Sequence, residues 1–201
     1  TALGTFLGIK AAVNHQRNTD DLTGIRVAIQ GLGSVGLYLC EHLYNAGAKL
    51  VVTDLNQEAL TIAADKYQAD IVGLDEIYHQ DVDVYSPCAL GATLNDDTIK
   101  VLKATIVAGC ANNQLAKPKH DLALKERGIL YAPDYVINAG GIINISFENL
   151  DGGYDKVAAT AKVERIYDTL MNVFDTAKQL NKPTGIVADD IAREIIAKGK
   201  K

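Results

Sequence analysis

Apolar residues recur three and four positions apart through ALGTFLGIKAAV, residues 2–13, which is the spacing of one helix face. Gly4 and Gly8 weaken such a helix by up to about 1 kcal/mol each, so packing has to hold it. After the polar stretch 18–23 comes IRVAIQ, residues 25–30, a short β-branched run with a glycine on either side. That pattern predicts a strand buried on both faces. Helical spacing returns in SVGLYLCEHLYNAG, residues 34–47, and stops at Gly47, a suitable C-cap. KLVVTD, residues 49–54, predicts a second strand, and EALTIAADKY, residues 58–67, a further helix.

The alternation continues with VDVYSP at 82–87, TIVAG at 105–109 and GILYAP at 128–133 as strands. NDDTIKVLK at 95–103 and KHDLALKER at 119–127 read as the helices between them. From 155 to 180 the pattern is purely helical, with Val157, Ile166, Leu170, Val173, Phe174 and Ala177 on one stripe. Pro183 breaks that helix, and a last one runs to about Lys198. Strands alternating with helices predict an α/β fold, a doubly wound and mostly parallel sheet with helices on both faces and C-terminal helices after it. Residues 1–201 then form one domain.

Composition removes several classes of function. Of 201 residues, 48% are hydrophobic and 22% charged, and the net charge is -5 without any basic block. Nucleic acid and anionic membrane surfaces are therefore not expected partners. No apolar run approaches the roughly 18 residues of a membrane span, and no secretory leader pattern is present. Cys40, Cys88 and Cys110 are odd in number and lack a Cys-x-x-Cys spacing, which predicts reduced thiols in a cytoplasm. His15, His42, His79 and His120 have no metal-ligand spacing, so surface or helix-face roles are expected and no metal site. The chain opens at Thr1 inside a helix, without methionine, as a piece of a longer protein does.

Candidate chemistry sits at the first strand-to-helix junction, Gly31-Leu-Gly33-Ser34-Val35-Gly36. G-x-G-x-x-G alone is a weak signal, but here it follows a strand and opens a helix, the context a dinucleotide turn requires. Gly31 permits the tight turn, Gly33 lets a diphosphate approach the backbone, and Gly36 lets helix and strand pack closely. The free N–H groups and partial positive charge of the helix start face the phosphates, with Ser34 and Val35 among the contacts. Asp54 closes the second strand eighteen residues after Gly36, where a carboxylate accepts the adenine-ribose hydroxyls and repels a 2′-phosphate. With Leu55 beside it, this predicts a Rossmann-type domain that binds NAD rather than NADP.

These motifs, with TALG at 1–4, LVVTDLN at 50–56, SPCALGATLND at 86–96, AGCANNQL at 108–115 and YAPDYVINAGGIIN at 131–144, resemble the glutamate, leucine, phenylalanine and valine dehydrogenase family. The similarity covers nearly the whole chain and lies nearest the leucine dehydrogenase branch. It implies the NAD-binding domain of an enzyme that oxidatively deaminates an L-amino acid to its 2-oxo acid and ammonia, reversibly. It places Thr1 near the nicotinamide carboxamide, and Cys88, Ala89, Ala111 and Asn112 along the cofactor's ribose region. Asn138 falls on the substrate carboxylate or the nicotinamide side of the cleft. Close relatives sometimes carry alanine at the position of Gly36, which the resemblance implies has no consequence for binding. The lysines and aspartate that carry catalysis in the family belong to a separate domain, and neither motif occurs here. The fragment alone is expected to be inactive, and monomeric where the parent is a homo-oligomer.

The stretch VINAGGIINISFE, residues 136–148, completes the expected cleft. Asn138 follows an apolar run read as a strand end, with donor and acceptor both available to a ligand. Gly140 and Gly141 start a helix whose dipole favours a carboxylate, and Ile142 and Ile145 share one face. Facing the cleft, they form an apolar wall for a branched aliphatic substrate, which gains about 1.5–3 kcal/mol from burial. The resemblance sharpens this, since glutamate-specific members typically carry serine at the position of Ile145. The alternatives are that both isoleucines pack in the core, that the specificity is glutamate- or phenylalanine-type, or that the chain is a non-catalytic NAD-sensing module.

Overall fold

A computed structural model describes residues 1–148 and 154–199. Its centre is a six-stranded, wholly parallel sheet in the order β3-β2-β1-β4-β5-β6. The strands are β1 Arg26–Gln30, β2 Lys49–Thr53, β3 Asp70–Ile71, β4 Val84–Pro87, β5 Ile106–Val107 and β6 Leu130–Tyr131. The helices are α1 Ala2–Arg17, α2 Ser34–Asn45, α3 Gln57–Tyr67, α4 Thr98–Val101, α5 Lys119–Glu126, α6 Asp134–Ile137, α7 Gly140–Glu148, α8 Lys156–Leu180 and α9 Thr184–Gly199. The order reverses between β1 and β4, and the two strands run parallel with Val27 opposite Val84.

Both faces of the sheet are buried because alternate side chains enter different cores. Val27, Ile29, Leu50, Val52, Val84 and Ile106 pack on the side of α1, α2 and α8. Ala28, Val51, Tyr85 and Val107 point the other way, onto Ile77, Ile99, Leu102 and Leu124. This is the doubly wound α/β architecture that the strand–helix alternation predicts. In α1, a Cβ on Gly8 would lie 2.4 Å from the Ile137 side chain and 2.9 Å from that of Leu170. The glycine that weakens α1 as an isolated helix is what lets it lie against α6 and α8.

Several expectations need correction. β3 carries no predictive signal, because its two residues are exposed and form no apolar run. Only Ile106–Val107 and Leu130–Tyr131 pair as strands within the longer segments expected there. Val157 lies off the buried stripe of α8 and is 80% exposed, because it falls about half a turn out of phase with Ile166, while nearby Ala159 is buried; the stripe from Ile166 to Ala177 is buried. The helix ends at Leu180 with Asn181 left-handed (φ 53), two residues before Pro183. Of the surface and helix-face roles expected for the histidines, His120 takes the second: it lies on α5 and is buried, its Nδ1 accepting the Lys117 N–H at 3.0 Å.

Candidate functional site

β1, β4 and β5 all end at one edge of the sheet, and the turn 31–36 rises from the first of them. Gly31 has φ 106, and a Cβ there would lie 2.5 Å from that of Ala89, so the turn needs glycine twice over. Gly36 is held as tightly, since its Cβ would lie 2.1 Å from the Gly31 carbonyl oxygen. Alanine at 36 would therefore have to displace the Gly31 peptide in this backbone. Gly33 is different. It caps α2, and a Cβ there would meet no atom within 4 Å. Space is open at the one position where a diphosphate must approach the helix start, which is what a dinucleotide requires.

Asp54 is bound to this turn. One carboxylate oxygen accepts the Leu32 N–H and the other the Asn56 N–H at 2.7 Å. Its carboxylate thus braces the turn against the end of β2, while Asn56 caps α3 by accepting from Glu58 and Ala59. Leu55 beside it is exposed. On the other side, the Cys88 N–H donates to the Gln30 carbonyl at 2.7 Å, continuing the β1–β4 pairing and bringing exposed Ala89 against Gly31.

The next loop, 109–114, is organised by a residue that sequence reasoning passed over. Gln114 is fully buried, and its Nε2 donates to the carbonyls of Gly109 at 2.8 Å and Ala111 at 3.0 Å. Its own N–H donates to Asp134, which ties the loop to α6. A signal was present in AGCANNQL, whose Gln114 stands between exposed asparagines and an apolar residue, but only the fold reveals it as a brace. Ala111 is buried and Asn112 exposed at the loop's surface.

Asn138 does not follow a strand. It ends α6, because Asp134–Ile137 is helical after Pro133. Its Nδ2 donates to the Cys110 carbonyl at 3.3 Å and to Asn112 Oδ1 at 2.6 Å, so the donor is committed within the protein. Thr1 reaches the same place, since a Cβ on Gly141 would lie 2.8 Å from its Oγ1. Thr1, Asn112, Asn138 and the start of α7 therefore gather at one edge. Ile142 is 73% and Ile145 58% exposed, while Ile143 leans on the core. The core-packing alternative for the two isoleucines is overturned; they share an outward face of α7.

Two cysteines meet between the loops. The Cys110 thiol hydrogen-bonds that of Cys88 and, as the largest cause, holds it below the usual thiol range. The same neighbour, followed by burial, pushes Cys110 well up. The Ser86 hydroxyl lies 3.5 Å from Cys88 Sγ. Cys40, buried behind them, is pushed up to about 12 by burial. A separate cavity of about 450 Å³ lies where α1 and α8 end, lined by His15, Lys125, Tyr131, Phe174, Lys178 and Thr184. Gln16 beside it donates to Thr105, just before β5, so this cavity is at the opposite end of the strands from the glycine turn. Among the described residues, no group of three or more His, Cys, Asp or Glu side chains could hold a metal ion.

The pattern defining the glutamate/leucine/phenylalanine/valine dehydrogenases matches residues 1–55 and 52–188. The chain is 48% identical over 201 residues to leucine dehydrogenase of Thermoactinomyces intermedius, covering all of this chain and 54% of that one. It is 41% identical to valine dehydrogenase of Streptomyces coelicolor, over all of this chain and 55% of the relative. The crystal structure of L-tryptophan dehydrogenase from Nostoc punctiforme superposes with a TM-score of 0.94 at 44% identity, over 98% of this chain and 59% of that one. The chain thus spans about half the length of the curated relatives it matches.

Proposed function

The chain belongs to the glutamate/leucine/phenylalanine/valine dehydrogenase family, and from that premise we propose that it is the NAD-binding domain of an enzyme interconverting an aliphatic L-amino acid and its 2-oxo acid. The observation that carries the cofactor assignment is the open space over Gly33 at the start of α2, between a positive-φ Gly31 and a tightly packed Gly36. Gly33, Ser34 and Val35 would hold the diphosphate through backbone N–H groups. Asp54 would take the adenine ribose, which disfavours a 2′-phosphate and so favours NAD over NADP. Ala89, Ala111 and Asn112 would line the nicotinamide ribose, with Thr1 and Asn138 beyond them. When bound, the nicotinamide supplies the hydride acceptor and donor.

This chain's own part is binding and orientation. Asp54 fixes the turn, Gln114 fixes the loop 109–112, and Asn138 locks that loop's asparagine to the start of α7. Proton transfer to the amino acid would fall to groups of a second domain outside these 201 residues, so the chain alone binds cofactor without turnover. Ile142 and Ile145 would meet the substrate side chain there. Two exposed isoleucines with no charged group between them on that face suit a branched aliphatic chain and leave a distal carboxylate unpaired, at a cost of several kcal/mol. A larger aromatic substrate is the second reading, favoured by the 0.94 TM-score to a tryptophan dehydrogenase. The full enzyme would be a cytoplasmic homo-oligomer.

The test uses the longer protein that carries this chain. NADH absorbance is followed with leucine, valine, phenylalanine, tryptophan and glutamate offered separately. Turnover led by leucine or valine is the expected result. A lead for tryptophan or phenylalanine would keep the reaction and move the substrate to the aromatic class. A lead for glutamate would discard the apolar wall, and absence of turnover with any amino acid would overturn the enzyme assignment.

A further inference from the structure

We propose that Cys88 and Cys110 form a thiol pair that closes to a disulfide under peroxide and so shuts the cofactor cleft reversibly. Geometry brings the pair together. β4 and β5 are hydrogen-bonded neighbours with Tyr85 opposite Val107, and the two cysteines lie just past their ends. The Ala111 N–H donates to the Pro87 carbonyl at 2.9 Å, which keeps the two chains side by side up to that point. Neighbouring strands lie about 4.8 Å apart, within the roughly 4.4–6.8 Å between Cα atoms that a disulfide bridges. Both side chains are half-buried, open to a small oxidant, whereas Cys40 is sealed in the core.

The two sulfurs have different roles. Cys88 receives the Cys110 hydrogen bond and lies 3.5 Å from the Ser86 hydroxyl, so its thiolate is the more available nucleophile. It attacks a peroxide oxygen. A sulfur–oxygen bond forms, the oxygen–oxygen bond breaks, and the departing hydroxide takes up a proton as water. Cys110 then attacks the Cys88 sulfur, the sulfur–oxygen bond breaks, and a second water leaves with the Cys110 proton. The sulfurs have given up two electrons and the peroxide has become two waters. Cys110 is held in its thiol form first by its hydrogen bond to Cys88, then by burial and the charge on Cys88, and the loss of the Cys88 thiolate on oxidation relieves the first and last of these.

Closure reaches the cofactor because both loops line its place. The Cys88 Cβ is 3.9 Å from where a Cβ on Gly36 would stand, Ala89 touches Gly31, and the Cys110 carbonyl accepts from Asn138. A bond of about 2.05 Å in place of a thiol contact draws the two loops together across the ribose region. A ligand seated between them resists that movement, so closure and cofactor oppose each other by linkage. This inference rests on the cofactor assignment above.

The test treats the reduced chain with hydrogen peroxide and maps disulfides by mass spectrometry under non-reducing conditions, with NAD titrated by calorimetry before and after. The expected product is the Cys88–Cys110 bridge, with NAD affinity at least about tenfold weaker and restored by dithiothreitol. NAD at ten times its Kd should slow closure about tenfold, in proportion to the free fraction. In Cys110→Ser, Cys88 should stop at a dimedone-trapped sulfenic acid and give no bridge. A reduced chain that binds NAD but forms no Cys88–Cys110 bridge overturns the pair. A bridge that changes neither affinity nor rate in the presence of NAD overturns the gating. A reduced chain that does not bind NAD overturns the cofactor assignment, and the gating with it.

Discussion

Gly33 and Gly36 stand three residues apart in one motif, yet the structure assigns them opposite sensitivities to a single methyl group. At Gly36 the added carbon would lie 2.1 Å from the Gly31 carbonyl oxygen and 3.0 Å from its carbon, both backbone atoms that cannot rotate away. Overpacking of that kind costs about 1–3 kcal/mol. For a domain of this size each kcal/mol is about 2–4 °C, so Gly36→Ala should melt roughly 2–12 °C lower than wild type. At Gly33 the same carbon meets nothing within 4 Å, and the backbone there, φ -64 and ψ -171, is open to alanine. Gly33→Ala should therefore melt close to wild type. It should nonetheless weaken NAD by at least about tenfold, or 1.4 kcal/mol, because the methyl occupies the space needed by the diphosphate. Differential scanning fluorimetry and calorimetric titration on both variants read the two effects separately. If Gly33→Ala bound NAD as tightly as wild type, the diphosphate would not lie over that glycine and the cofactor assignment would fail. If Gly36→Ala kept full stability, the tight packing of the turn would be refuted.

Asp54→Asn removes the charge that faces a 2′-phosphate, worth about 1–4 kcal/mol at a protein surface, so the preference for NAD over NADP should narrow by about tenfold or more in paired titrations; an unchanged ratio would sink its assignment. Gln114→Leu leaves the Gly109 and Ala111 carbonyls without their donor, at about 1–3 kcal/mol each, and should lower both Tm and NAD affinity, whereas a loss of stability with intact affinity would confine Gln114 to the core. Burial raises the Asp121 carboxyl, which accepts the Ile186 N–H at the start of α9. A raised folded pKa favours the acid form, so its stabilisation is full below the ordinary carboxylate range and is lost as pH rises through the folded value. Asp121→Asn, which does not titrate, should therefore gain Tm relative to wild type between pH 4 and pH 7, by on the order of a few degrees; a gain that shrinks with rising pH would contradict the sign.

The first half of the fold could be read from the chain because its signals are local. β1, the glycine turn, α2 and β2 each combine an apolar run with a terminator, and Gly31–Gly36 lies where the pattern placed it. β3 could not be read, since Asp70–Ile71 pairs only through its backbone with Val51 and Val52 and buries no side chain of its own. The apolar pair Val136–Ile137 is too short to separate strand from helix by period. The neighbouring Asp134, accepting the Gln114 and Tyr135 N–H groups, decides for helix. Val157 stands about half a turn out of phase with Ile166, Val173 and Ala177, so its exposure follows from the helical period, and Ala159 takes its place on the buried stripe. Ile142 and Ile145 were legible as a shared face; their exposure depends on tertiary packing that periodicity does not encode. The contact between Cys88 and Cys110 likewise arises from strand order, which brings together residues far apart in sequence.

The central claim is that NAD sits over the carboxyl ends of β1, β4 and β5, and a titration of the isotopically labelled chain with NAD, followed by amide NMR shifts, tests it most directly. The account predicts shifts at Gly31, Gly33, Ser34, Gly36, Leu55, Ala89 and Asn112, with the residues around the 450 Å³ cavity at the opposite end, Lys125 and Lys178 among them, unmoved. Shifts centred on that cavity, with the glycine turn silent, would contradict it.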